Sequence, residues 1–187
     1  MLPIAPITPY AGQQLCWVRH SSEKRAYELR AAEQVLATLR WRRGPLAEAE
    51  TADGQWTFQR VGFWRRVVTV RAAASDADLA EFHPSWTGTG RLELGARQLR
   101  WVATSFWRAE WSWQDAAGTP LIRYLRGTRR PPVAGRVEIT PTAGGLPDLA
   151  LLVTLGWYLV LLNAQDQSAS ASAGAIAAVI ASSTVAG

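Results

Sequence analysis

The chain has one cysteine (Cys16), one lysine (Lys24) and two histidines among 187 residues, and each scarcity excludes something. A single cysteine closes no internal disulfide, which removes the stapled secreted scaffolds and makes a reduced, cytoplasmic setting the expectation. His20 and His83 lack the serine, cysteine or carboxylate surroundings that would make either a recognisable general base. Cys16 and His20 supply only two of the three or four ligands of a zinc site, and Asp76 and Asp78 lack the remaining ligands of a calcium loop. Gly88-Thr89-Gly90 runs on to Glu93 without a third glycine, and neither a Walker A sequence nor a nucleophile elbow occurs. No catalytic residue, metal or cofactor is therefore expected. Residues 1–25 lack a basic stretch followed by an apolar one, and Pro3, Pro6 and Pro9 would interrupt a signal helix, so this part is expected to be an extended segment lying over the domain.

A hydrophobic share of 48% with 19% charged residues suits one globular domain. Of the 20 basic residues all but Lys24 are arginine. Guanidinium forks match phosphate geometry, so the excess fits anionic lipid headgroups or nucleic acid; GC-rich codon usage would give the same excess.

From Tyr27 to Ile139 apolar and polar residues alternate in short runs. Trp56 and Phe58, then Leu92 and Leu94, then Leu99, Trp101 and Ala103, then Trp111 and Trp113 mark oily faces opposite wet ones, the pattern of antiparallel strands. Asp53-Gly54 and Asp115 to Gly118 supply hairpin turns with positive-φ glycines. Ala72 to Phe82 is the exception, where Ser75 caps a short helix or the chain simply loops.

Leu149 to Leu162, LALLVTLGWYLVLL, is apolar on every side, begins after Pro147-Asp148 and is expected to stop at Asn163. At ~1.5 Å per residue it spans about 21 Å, short of the ~30 Å hydrocarbon core, so a helix surrounded by protein is favoured over a membrane span. What surrounds it is the sheet. The fold class is mainly β: a closed antiparallel β-barrel of about 10–12 strands enclosing a hydrophobic C-terminal α-helix. The expected boundaries are an extended segment over 1–25, the barrel over 26–163 with its central helix at 147–162, and a flexible Ser/Ala-rich tail over 164–187.

The order of parts, with the hairpin WRAEWSWQDAAGTPLIRY, the late strand RVEIT and the helix LPDLALLVTLGWYLVLL, resembles the tubby-like barrel superfamily. The likeness is to the bacterial relatives of the LURP-one and phospholipid scramblase proteins, and it covers about residues 26–163. It implies a barrel around a hydrophobic helix and a noncatalytic role in binding lipid or tethering to membranes. Arg40 and Arg42 resemble the basic residues of the exterior lipid site of tubby proteins, whereas the calcium-binding and cysteine-rich features of scramblases are missing.

The strongest local charge signal is Ala116 to Val137, where Arg123, Arg126, Arg129, Arg130 and Arg136 occur without an acid. With Arg40 and Arg42 these are the candidates for meeting an anion. An equally simple account is a solvated face that meets nothing. Trp beside Arg, as at Trp41-Arg42, Trp64-Arg65 and Trp107-Arg108, follows from strand alternation without a nucleobase, so nucleic acid is disfavoured. The expected partner is an anionic membrane surface, at which the protein would be peripheral, or another protein. The alternatives are a membrane-inserted protein using the apolar helix 149–162, and a barrel with a small ligand or substrate in a cavity beside that helix.

Overall fold

Side chains that alternate between oil and water give a strand one face for an interior, and twelve such strands close on themselves here. The computed structural model describes residues 3–23, 25–62, 66–74, 77–85, 89–105, 109–127 and 132–184, with side chains as far as Ala171. The strands are β1 Gln14–Arg19, β2 Ala26–Ala31, β3 Gln34–Trp41, β4 Leu46–Thr51, β5 Gly54–Val61 and β6 Val67–Ala72, followed by β7 Asp78–Pro84, β8 Gly90–Leu94, β9 Arg97–Ser105, β10 Glu110–Gln114, β11 Pro120–Arg126 and β12 Val133–Ile139. Each pairs antiparallel with its sequence neighbour, and β1 closes the barrel against β12. Closure leaves no sheet edge to template aggregation.

One helix, α1 (Leu149–Thr184), fills the interior. Leu151 to Val160 is buried throughout. Trp17 stacks on Trp157 at 5.5 Å between ring centroids, and Trp41 on Tyr158 at 5.0 Å. The indole of Trp113 and the hydroxyl of Tyr124 both donate to the carbonyl of Leu152, at 3.1 and 2.9 Å. Two glycines make the fit possible. A Cβ on Gly156 would come within 2.3 Å of the Tyr124 ring, and one on Gly135 within 2.4 Å of the Trp157 ring. Burial in this aromatic cage pushes the hydroxyl pKa of both Tyr124 and Tyr158 upward.

Several expectations are corrected. The barrel begins at Gln14, not at residue 26, because Leu15 and Trp17 of the supposed extended segment point inward and β1 supplies the closing strand. The residues before it do lie across one end. Ile7 is fully buried, and the Gly12 N–H donates to the Ile139 carbonyl at 2.7 Å. Ala72 to Phe82 holds no helix among its described residues: β7 starts at Asp78 and buries Ala80 and Phe82 by simple alternation, while Ser75 and Asp76 lie outside the described residues. At Asp53-Gly54 the turn sits one residue earlier than expected. Thr51 pairs with Gly54 across the hairpin, and the Thr51 hydroxyl accepts from the Asp53 N–H at 3.1 Å, so Gly54 needs no positive φ. Gly118 does adopt one, at 86°.

Asn163 does not stop α1, and the segment expected to be a flexible tail is helical through Thr184. The Ala-rich continuation has high helix propensity. The Ser168 and Ser170 hydroxyls, which compete with the backbone elsewhere, here donate to the carbonyls one turn back, at 2.8 and 2.9 Å.

Candidate functional site

An up-and-down barrel sorts its connections strictly, with alternate loops at opposite ends. At the end where α1 enters, the connections after β2, β4, β6, β8, β10 and β12 carry Glu33, Asp53, Asp115 and Asp148 among the described residues, and no Lys or Arg. At the end where α1 leaves, the described connections carry Arg25, Arg42, Arg43 and Arg66 against one acid, Glu23. The strand ends there add Arg19 and Arg126 against Glu110. Lys24, Arg65, Arg108, Arg129 and Arg130 belong to the same stretches of sequence and lie outside the described residues. Among the described residues the two ends are therefore oppositely charged, and the basic end is the mouth through which the helix emerges.

At the mouth α1 is held to one side. Asp166, one turn beyond the last fully enclosed residues, accepts from Arg60 of β5 at 2.8 and 2.9 Å and faces Arg66 at 3.4 Å. Beyond Asp166 the helix is exposed from Gln167 to Ala171. Lower down, the Tyr158 hydroxyl donates to the Pro45 carbonyl and fixes the helix to the connection after β3. On the arc formed by β11, β12, β1 and β2 a cavity of about 570 Å³ opens beside the helix. Arg19, Arg25 and Arg126 line it, with Tyr27, Trp41 and Leu161 as apolar wall, and no Asp or Glu takes part among the described residues.

The sequence candidates divide in two. Arg126 lines the cavity, and Arg40 and Arg42 stand near the mouth, but the last two are already engaged. Arg40 faces Glu23 at 3.6 Å and Arg42 meets Glu48 at 2.6 Å, a hydrogen bond that raises the Arg42 pKa further. Arg42 also lies one residue past the end of β3. Arg123 and Arg136 are exposed on the outer wall away from the cavity. Arg123 faces Glu138 across the β11–β12 pair at 4.0 Å, and Arg136 stands opposite Leu125 and Cys16. Arg129 and Arg130 lie outside the described residues. Cys16 is a half-buried free thiol on β1, and the His20 ring lies 3.5 Å from Glu28.

Arg19 and Arg25 escape a local reading of the sequence because each is a single arginine at a strand boundary. They join Arg126 only when β1 closes against β12. Counting charge on alternate connections of an assumed up-and-down barrel would have found the mouth.

No family model, curated protein or solved structure matches this chain in comparisons of sequence and fold. The architecture itself, a closed twelve-stranded antiparallel barrel around a buried apolar helix, is consistent with the tubby-like fold.

Proposed function

We propose that this protein is a noncatalytic module of the tubby-like kind that docks its mouth on anionic membrane surfaces. What supports the kinship is the barrel threaded by a single apolar helix. What carries the function is the segregation of charge: basic connections surround the emerging helix, while the opposite end is acidic. Such an arrangement orients a molecule in the field of an anionic surface, turning the mouth toward it and the far end away. Each basic residue near an anionic leaflet contributes ~1 kcal/mol, so the described arginines of the mouth suffice for measurable association without any inserted segment. Arginine suits the task because its planar fork bonds two phosphate oxygens at once. Leu149 to Leu162, in contrast, has its apolar surface engaged by barrel side chains.

The test is flotation with phosphatidylcholine vesicles, with and without phosphatidylserine, at low and physiological salt. Binding is expected only to the anionic vesicles, weakening as salt screens the surface charge. Changing Arg43, Arg66, Arg129 and Arg130 together to Ser should reduce association by ~4 kcal/mol, enough to abolish flotation. Equal flotation of the variant, or equal binding to neutral vesicles, would sink the reading.

A further inference from the structure

Eight of the described arginines are matched to a carboxylate: Arg30, Arg40, Arg42, Arg60, Arg66, Arg71, Arg97 and Arg123. Arg19, Arg25, Arg43, Arg91, Arg100, Arg126 and Arg136 are not matched among the described residues, and three of these border the mouth cavity. Arg19, Arg25 and Arg126 make no ion pair among the described residues, although they reach one space from three elements: the end of β1, the residue before β2 and the end of β11. Their backbones are fixed. The Arg19 N–H donates to Pro132, Arg126 donates to Ala109, and the Arg25 carbonyl accepts from Trp41. Arg19 also lies against Tyr27, with Cζ 5.9 Å from the ring centroid. Like charges gathered without a counter-charge repel, and an anion that bonds several of them relieves the repulsion.

The rest of the lining has a different chemistry. Tyr27 and Trp41 come from the barrel, and Leu161 and Ala164, with the polar Gln165 and Ser168, from α1. The Asp166 clamp to Arg60 holds the helix toward β5, on another arc of the barrel from the cavity. An anionic head with an adjoining apolar part would complement both parts of this lining. We infer that this cavity receives the phosphomonoester headgroup of a membrane amphiphile, with Arg19, Arg25 and Arg126 on the phosphate and the start of its apolar chain against Tyr27, Trp41 and Leu161.

The inference rests on the proposed membrane docking and gives that surface a ligand, yet the two fail separately. Isothermal titration of the full chain with dihexanoyl phosphatidate, glycerol 3-phosphate and inorganic phosphate tests the cavity. Phosphatidate is expected to bind best, and Arg19→Ser with Arg126→Ser should weaken it by about tenfold or more for each guanidinium removed. The same double variant, its melting temperature checked to show that it folds, should still float with phosphatidylserine vesicles, because the outer arginines remain. Phosphatidate binding that is absent, or unmoved by the double variant, overturns the inference. Glycerol 3-phosphate binding as tightly overturns the amphiphile assignment in favour of a soluble phosphoester. Flotation lost in the wild type while phosphatidate binding persists removes the docking reading and leaves the cavity standing.

Discussion

The two parts of α1 live under different rules. Inside the barrel every side chain from Leu151 to Val160 is buried, and side chains of Trp113 and Tyr124 hydrogen-bond to the helix backbone. Outside it, the ion pairs made by the described residues are those of a single carboxylate between two arginines. The first part has no freedom to take on a ligand, because any change there is a change to the core. The second contributes little to the core and is therefore free to serve a surface. The core-forming and the exposed parts are divided along one continuous helix, with Asp166 at the border.

The severest way to break this comparison is Leu155→Asp. Its carboxylate would be buried without a partner, at a cost comparable to the whole ~5–15 kcal/mol that keeps a domain folded. The expected outcome is an insoluble or unfolded chain by circular dichroism; a folded, soluble variant would mean that the inner part of the helix leaves the barrel readily.

Alkaline titration comes next. Tyr124 and Tyr158 hold their protons more tightly when folded than a tyrosine in the unfolded chain, which ionises near pH ~10. Their contribution is complete below that pH and is lost as the pH rises above it, by up to ~2.7 kcal/mol per pH unit for the two together. Urea midpoints measured through this range should fall steeply. Replacing both tyrosines by Phe should flatten the fall, and an unchanged slope would show that neither hydroxyl is kept from water.

The smallest effect is expected at the border. Asp166→Asn removes a half-exposed ion pair worth about 0.5–1 kcal/mol. The global melting temperature should scarcely move, while amide hydrogen exchange from Asn163 to Ala171 should quicken. Exchange that stays slow there would erase the distinction between the two parts of the helix.

Much of this division could be foreseen from residues in local sequence. An apolar stretch too short for a bilayer and oily on every side had to be wrapped by something, and the period-two runs supplied the wrapping. Local pattern failed where partners lie far away. β1 has only six residues between a proline-rich start and a charged loop, so its role as closing strand rests on Leu15 and Trp17 meeting a helix much later in the chain. β7 was obscured by Ser75 and Asp76, which favour caps and turns over strands. The helix stop at Asn163 was misplaced because a weak helix former cannot end a helix already nucleated and packed behind it. The arginine-lined cavity was invisible for a plainer reason: Arg19 and Arg126 come from opposite ends of the strand order, and nothing local says that they meet.

The closing of β1 on β12 also sets an order of events at the ribosome. The strand made first pairs early with β2 but cannot find its second neighbour, β12, until that last strand has emerged, and the cylinder has nothing to wrap until α1 follows. Contacts such as that between Trp17 and Trp157 span almost the whole chain, and topologies dominated by such distant pairings fold slowly. While the meander waits for its filling, the inward faces of twelve consecutive strands stay open to the solvent and to chaperones. Completion then comes late and cooperatively, when the segment synthesised after all the strands provides the surface on which the earliest one can seat.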